Sequence, residues 1–162
     1  VLVGSGNPEE GELRPQLLDR FGLSVEVESP RDIDTRIDVV RRRDAYDRDQ
    51  EGFVAQWHGE DMALRARILM AREALAHVDA DDAILRDCAE LCVALGSDGL
   101  RGELPLLRAA RGLAAFEDAP SVPRDHLRRV ATSALRHRLR RDPLDEAGST
   151  TRVTRTVEEV SS

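Results

Sequence analysis

Apolar residues recur at helical spacing through the second half of the chain. Four segments each place their apolar residues on one face of a helix. Their members are Met62, Leu64, Ile68, Leu69 and Leu75; Ile84, Leu85, Cys88, Leu91, Cys92 and Leu95; Leu104, Leu107, Ala110, Leu113 and Ala114; and Leu127, Val130, Ala131, Ala134 and Leu135. Gly96 suits the C-cap of the second segment, and Pro105 suits the first turn of the third. The pattern predicts a helical bundle, whose last helix runs from about 122 to 141.

The first third of the chain shows shorter patterns. Val1–Val3 is a brief apolar run, and residues 23–27 alternate apolar and polar side chains with β-branched members. Both predict strands. Pro15 suits the first turn of a short helix, and Ser29, followed by a proline, reads as the N-cap of a helix from about 30 to 47. The predicted order is strand, helix, strand, helix.

The chain therefore divides into an α/β part and an all-α part, and the fold is mostly α. We place the α/β part at residues 1–50, linker helices at 51–82 and the helical bundle at 83–162. Trp57 and His58 are expected in a segment between helices. The polar stretch AGSTTRVTRTVEEVSS at the end follows no pattern that assigns it to an element.

Composition narrows the class of protein. With 162 residues and 41% apolar content the chain can bury a core. No apolar run approaches the roughly 18 to 20 residues of a membrane span, and no signal peptide is evident, so a cytoplasmic location is the default expectation. A net charge of -7 and 3% aromatic residues disfavour nucleic-acid binding. A basic helix end keeps that alternative open; it comprises Arg136, His137, Arg138, Arg140 and Arg141.

All 24 basic residues are arginine, and none is lysine. The phosphate-binding loop GxxxxGK[ST] needs its lysine and cannot occur in this sequence. The chain also begins without methionine, at Val1, inside a predicted strand. We therefore expect it to be a fragment of a longer protein.

The two cysteines, Cys88 and Cys92, lie four residues apart on one predicted helix face. This spacing favours two small core residues. A metal pair or a disulfide is the alternative, although no cysteine or histidine flanks them to complete a metal site.

Two residues near the start have side chains suited to phosphate chemistry. Asn7 follows a predicted strand, and its amide offers a donor and an acceptor that can hold a water molecule for attack on phosphorus. Arg20 ends a short helix and presents a planar fork of donors that fits phosphate oxygens. The alternative is an ordinary turn at Asn7 and an exposed ion pair between Asp19 and Arg20.

The stretch GNPEEGELRPQLLDRFGL, residues 6–23, resembles the sensor-1 to arginine-finger segment of AAA+ ATPases. More narrowly, it is similar to the I subunit of magnesium chelatase, which inserts Mg²⁺ into protoporphyrin IX during chlorophyll and bacteriochlorophyll synthesis. The stretches RDIDTRIDVVRRRDAYDRD, ALGSDGLRGELPLLRAARGLAAFE and LRHRLRRDPLDEAGSTTRV resemble later parts of that subunit. The resemblance covers nearly the whole chain, and the arginine bias suggests a bacteriochlorophyll-making bacterium.

The resemblance implies roles for five residues. Asn7 would be sensor 1, which orients the attacking water. Arg20 would be the arginine finger, which contacts ATP bound to the neighbouring subunit of a ring. Asp19 would orient Arg20 or bridge the subunit interface, and Arg14 is a candidate second arginine at that interface. Arg101, in an interhelix loop, would be sensor 2, acting on the nucleotide of its own or of the neighbouring subunit. The bundle would then be a AAA+ lid-type domain.

The resemblance also implies cofactors and partners. They are ATP with Mg²⁺, which is also the metal substrate; a homo-oligomeric ring, with a hexamer expected; and the chelatase D and porphyrin-binding H subunits. No residue of this chain is expected to be a metal ligand, and the chain alone is expected to be inactive. A MoxR-type AAA+ ATPase of metalloenzyme maturation and the chelatase D subunit are the alternatives.

Overall fold

The computed structural model describes residues 2–7, 14–97, 99–139 and 149–160. Within these ranges the chain forms helices and short connections, and it contains no β-strand. The α-helices are α1 (Pro15–Leu18), α2 (Ile33–Arg48), α3 (Gln50–Ala74), α4 (Asp82–Ala94), α5 (Glu103–Phe116), α6 (Arg124–Leu135) and α7 (Ser149–Val160). Short 3₁₀ turns lie at Leu75–His77, Gly99–Arg101 and Arg136–Arg138. The mostly α class is confirmed.

The core lies between α4, α5, α6 and α7. Leu95, Leu106, Leu135 and Val153 are its largest fully buried aliphatic side chains, together with the two cysteines of α4. Alanines occupy the buried positions where α5 faces α6, which lets the two helices approach closely. The predicted bundle is confirmed, and most of its core consists of residues from the last three of the four apolar segments. The first segment differs, because its apolar residues are 42 to 48% exposed: Met62, Leu64, Ile68, Leu69 and Leu75.

Both cysteines belong to this core. Cys88 and Cys92 are free thiols with 2% and 0% of their surface exposed. Burial, with smaller effects from nearby carboxylates, raises the pKa of Cys88 to about 11 and that of Cys92 to about 12. The core interpretation is therefore confirmed, and the pair forms no disulfide.

We expect both thiols to resist maleimide labelling at pH 8 in the folded protein. The thiolate is the reactive form, and a pKa raised above the assay pH keeps the sulfur protonated as well as buried. Both should react rapidly in denaturant, where each pKa returns to its ordinary value. Mass spectrometry of native and unfolded samples measures the difference, and rapid native labelling would contradict the packing of α4.

The predicted strands at Val1–Val3 and 23–27 are wrong for the residues that the structure describes, and Val1 lies outside them. Val25 and Val27 are 69% and 92% exposed, and one backbone bond, from Ser24 N to Ser133 O of α6 at 2.8 Å, ties this segment down. A strand needs a neighbouring strand to accept its ladder of hydrogen bonds, and the described residues supply none.

Helix α2 begins three residues later than the sequence pattern suggests. Asp32, and not Ser29, is its N-cap: the carboxylate accepts hydrogen bonds from Thr35 N at 2.8 Å and Thr35 Oγ1 at 2.7 Å. These bonds lower the pKa of Asp32 below its ordinary value. Two donors from one residue make the aspartate the better cap.

Trp57 and His58 lie inside α3, so their predicted placement between helices is wrong. Asp49 caps this helix by accepting from Gly52 N at 2.9 Å, and no proline interrupts the next 25 residues. The guanidinium of Arg42 in α2 stacks over the Trp57 ring at 4.8 Å, which joins the two long helices.

In the part of the chain described, no helix has the length and apolar character needed to cross a membrane.

The stretch that the sequence pattern left unassigned contains α7. Val153 and Thr156 are its buried residues against the bundle. The hydroxyls of Thr154 and Thr156 donate to backbone carbonyls four residues earlier, each at 3.0 Å, which satisfies them within the helix. Threonine can therefore serve a helix here despite its preference for strands.

Candidate functional site

The candidate site is built around a tight loop after α1. Arg20 N donates to Leu17 O at 3.1 Å and Phe21 N donates to Leu18 O at 3.0 Å, so the loop from Asp19 to Phe21 is shaped by consecutive turns. It packs against the 3₁₀ turn Arg136–Arg138 that ends α6. The sequence pattern predicts a helix up to about 141, but α6 ends at Leu135 and continues as the 3₁₀ turn. This turn places the side chains of His137 and Arg138 within hydrogen-bond distance of the loop.

Arg138 makes four hydrogen bonds, and three of them hold the loop. Its Nη1 donates to the Asp19 carbonyl oxygen at 2.9 Å and to Asp19 Oδ1 at 3.0 Å. Its Nη2 donates to Phe21 O at 2.6 Å, and its Nε donates to Ala134 O at 3.1 Å. The side chain is 5% exposed, so its charge is neutralised by Asp19 inside the protein.

Arg101 reaches the same carboxylate from the solvent side. Its Nη1 lies 3.1 Å from Asp19 Oδ2, and its side chain is 76% exposed. The 3₁₀ turn that carries Arg101 packs tightly on α4: a Cβ on Gly102 would lie 2.7 Å from Ser97 Oγ and 2.9 Å from Cys92 Sγ. Glycine at 102 therefore lets the turn approach α4 and fixes the position from which Arg101 extends.

The Arg20 side chain takes no part in this network. Its side chain is exposed and makes no ion pair or hydrogen bond with any residue in the described ranges. The alternative of an exposed Asp19–Arg20 ion pair is wrong, because both Asp19 oxygens bind other arginines. The loop therefore presents a guanidinium with its donors available to an anion.

Asn7 and Arg14 are both exposed. The segment of residues 2–7 runs beside the loop, since a Cβ on Gly4 would lie 3.6 Å from the Phe21 ring. Arg14 immediately precedes α1, and its carbonyl oxygen accepts from Leu17 N at 2.9 Å. The structure thus brings Asp19 and Arg101 together, with Arg20 next to Asp19 on the loop and Arg14 at the other end of α1.

The basic helix end is largely turned into the molecule. Arg136 pairs with Glu26 and is 13% exposed, and burial lowers its pKa below the ordinary value. Burial likewise lowers the pKa of His137, so at neutral pH a neutral imidazole donates from Nε2 to Phe21 O across 3.0 Å. Arg140 and Arg141 lie outside the described residues. Sequence reasoning assigned His137 and Arg138 to a basic surface and missed that they support the loop.

The donor set suits phosphate oxygens. Arg20 and Arg101 offer exposed guanidinium groups, which are acceptor-free and bind oxyanions with two parallel hydrogen bonds. Among the residues that the structure describes, no group of three or more histidine, cysteine, aspartate or glutamate side chains is placed to hold a metal ion. The residues present fit phosphate oxygens, and the chain's lack of lysine excludes a lysine-containing P-loop within this sequence.

Comparison with known proteins identifies the class. Residues 85–159 match the family model of the AAA lid domain. A putative ATPase from Cytophaga hutchinsonii has a similar fold, with a TM-score of 0.65 and 18% identity over 91% of this chain and 48% of that one. Residues 85–159 thus match a AAA lid domain, and the mostly α fold is that of a AAA+ lid region.

The particular family follows from sequence identity. The chain is 70% identical over 159 residues to the magnesium-chelatase 38 kDa subunit of Rhodobacter capsulatus, covering 98% of this chain and 45% of that one. It is 46% identical over 153 residues to the magnesium-chelatase subunit ChlI of Synechocystis, covering 94% of this chain and 43% of that one. Over nearly its whole length the chain matches the C-terminal part of magnesium-chelatase I subunits at high identity. It spans less than half the length of these curated relatives.

Proposed function

We propose that this chain is the sensor and lid part of the ATPase motor subunit of magnesium chelatase, which drives insertion of Mg²⁺ into protoporphyrin IX. The observation that carries the proposal is the 70% identity, sustained over 98% of the chain, to a magnesium-chelatase 38 kDa subunit. The free guanidinium of Arg20, on a loop held by hydrogen bonds from Arg138, supports it, because a AAA+ motor needs such a group to stabilise charge on the transferred phosphoryl.

Each candidate residue has a role in this proposal. Arg20 acts as the arginine finger on nucleotide held by the neighbouring subunit, and Asn7 orients the attacking water as sensor 1. Arg101 acts as sensor 2 and exchanges its contact with Asp19 for contact with phosphate. Asp19 and Arg14 lie at the subunit interface. Hydrolysis of ATP, bound with Mg²⁺, supplies the free energy. The P-loop that binds the ATP lies outside residues 1–162.

The assembly follows from these roles. Because Arg20 serves a neighbour, the working form is a closed ring, which we propose to be a cytoplasmic hexamer. Residues 1–50 belong to the AAA+ core, residues 51–82 link it to the lid, and residues 83–162 form the lid region. Hydrolysis changes how subunits pack, and the D subunit passes that change to the porphyrin-binding H subunit, where the metal is inserted.

The test is reconstitution. The full-length protein containing this sequence is mixed with the D and H subunits, ATP, Mg²⁺ and protoporphyrin IX, and Mg-protoporphyrin is followed by its fluorescence. Product that depends on this protein and on ATP supports the proposal. ATP hydrolysis without any Mg-protoporphyrin would contradict it and favour a MoxR-type ATPase. The 162-residue chain alone is the control and should hydrolyse no ATP.

A further inference from the structure

We propose that Arg138 is a positioning residue for Arg20: it binds the backbone carbonyl oxygens of the two residues that flank Arg20 and thereby sets the direction in which the Arg20 side chain leaves the protein. The proposal rests on the proposed function, since it concerns how the arginine finger of that motor is held. It assigns a task to a lid residue more than a hundred positions away in sequence.

The geometry of the hydrogen bonds brackets Arg20. The Asp19 carbonyl oxygen, at the peptide before Arg20, accepts from Arg138 Nη1 at 2.9 Å. The Phe21 carbonyl oxygen, one residue after Arg20, accepts from Arg138 Nη2 at 2.6 Å. One planar guanidinium therefore fixes the backbone before and after the finger, which restrains the orientation of its Cα–Cβ bond.

The Arg138 guanidinium is itself held in place by α6, and its charge is neutralised by Asp19. Arg138 Nε donates to Ala134 O of α6, which ties the guanidinium to the lid helix. Asp19 Oδ1, 3.0 Å from Nη1, supplies the opposite charge that a guanidinium with 5% exposure needs. The neutral imidazole of His137 adds a second donor to Phe21 O. Nothing comparable restrains the Arg20 guanidinium, so the backbone grip is what orients it within the described part of the chain.

This arrangement links the lid to the finger. The loop that carries Arg20 is bonded to the end of α6, so a rotation of the lid moves the finger that the same subunit presents to its neighbour. A displacement of about 1 Å at a catalytic group can lower a rate on the order of 100-fold. Lysine cannot replace arginine here, because one ammonium cannot span both carbonyl oxygens and the Ala134 carbonyl together.

The first experiment measures ATP hydrolysis by Arg138→Gln and Arg138→Lys in the full-length assembled protein. Both variants should lower kcat by about 10- to 100-fold with little change in KM, because a misdirected finger weakens transition-state stabilisation without removing a substrate contact. Arg129→Gln is the matched control: Arg129 lies in α6, the helix that leads into the turn carrying Arg138, and the substitution removes its two hydrogen bonds to Glu117. It should leave kcat unchanged. A fall in kcat with Arg129→Gln equal to that with Arg138→Gln would overturn the proposal.

A double-mutant cycle separates positioning from a merely structural role. Single-turnover hydrolysis is compared for Arg20→Ala and for Arg20→Ala with Arg138→Gln. If Arg138 acts through Arg20, the second substitution adds no further loss. If it lowers the rate by the same factor as in wild type, Arg138 acts independently and the proposal is wrong. Where the glutamine variant does not assemble, the cycle is run with Arg138→Lys, which retains the charge opposite Asp19.

The outcome of this cycle can be distinguished from the outcome of the test of the proposed function. It is read from ATP hydrolysis alone, so absence of Mg-protoporphyrin in reconstitution would remove the chelatase assignment and leave the cycle interpretable. Conversely, additive losses in the cycle would remove the positioning role while metal insertion continued to support the assignment.

Discussion

Arg20→Ala in the full-length protein is expected, under the proposed function, to lower kcat for ATP hydrolysis by about 10³-fold or more, in line with the contribution of arginine fingers in NTPases. The side chain is exposed and unpaired among the described residues, so the substitution removes no internal contact of the subunit. ATP affinity should therefore change much less than kcat, since the finger acts mainly on charge that develops in the transition state.

The control for this result is Arg36→Ala, which removes another exposed arginine, on α2, outside the site. It should hydrolyse ATP at the wild-type rate. Steady-state kinetics and a nucleotide-binding titration on both variants separate kcat from affinity. An Arg20→Ala protein with an undiminished rate would remove Arg20 from the active site. An equal loss in both variants would indicate a general charge effect instead.

Leu106→Ala is expected to lower the free energy of unfolding by about 2 to 5 kcal/mol. Leu106 is completely buried in α5, between α4 and α6, and its truncation leaves a cavity among neighbours that are themselves fixed by close packing. Such a loss is a large share of the roughly 5 to 15 kcal/mol that stabilises a typical domain.

Leu104→Ala provides the comparison for this result, because it is the same substitution two residues earlier on the same helix. Leu104 is 49% exposed, and its truncation should change stability much less. Urea unfolding of the two variants, followed by circular dichroism, gives the difference. Similar losses at both positions would contradict the orientation of α5 in the bundle.

The bundle could be predicted because its signal is local and repeated. Residues such as Leu91, Ala110 and Leu135 recur with the helical period, and each is buried in the structure. The glycine after α4 was also readable: Gly96 adopts a φ of +68°, and Ser97 N donates to Cys92 O at 2.9 Å, as expected where a helix ends in glycine.

The strands at the start could not be predicted correctly from local pattern. Alternation of apolar and polar residues at 23–27 indicates a strand only if another strand lies beside it, and the described chain offers α6 instead. Helix α7 was missed for the opposite reason. Its threonines favour strands locally, but burial of Val153 against the bundle outweighs that preference.

The exposed residues of the candidate site could be named from the sequence, but the buried residue that holds the loop could not. Asn7, Arg20 and Arg101 carry side chains whose chemistry, together with the family resemblance, suggests contact with phosphate. Their catalytic roles stay predictions. Arg138 carries no such signal, because its partners Asp19 and Phe21 are 119 and 117 residues away in sequence. A run of arginines at a helix end looks the same whether it faces solvent or the protein interior.

The most direct test of the central claim is a chimera. This 162-residue sequence replaces the matching part of the Rhodobacter capsulatus 38 kDa subunit, to which it is 70% identical. The chimera is then assayed for Mg-protoporphyrin formation with the partner subunits of that enzyme. We predict ATP-dependent metal insertion by the chimera and its loss when Arg20 is changed to alanine. A folded chimera that hydrolyses ATP and inserts no metal would contradict the assignment of this chain to the chelatase motor.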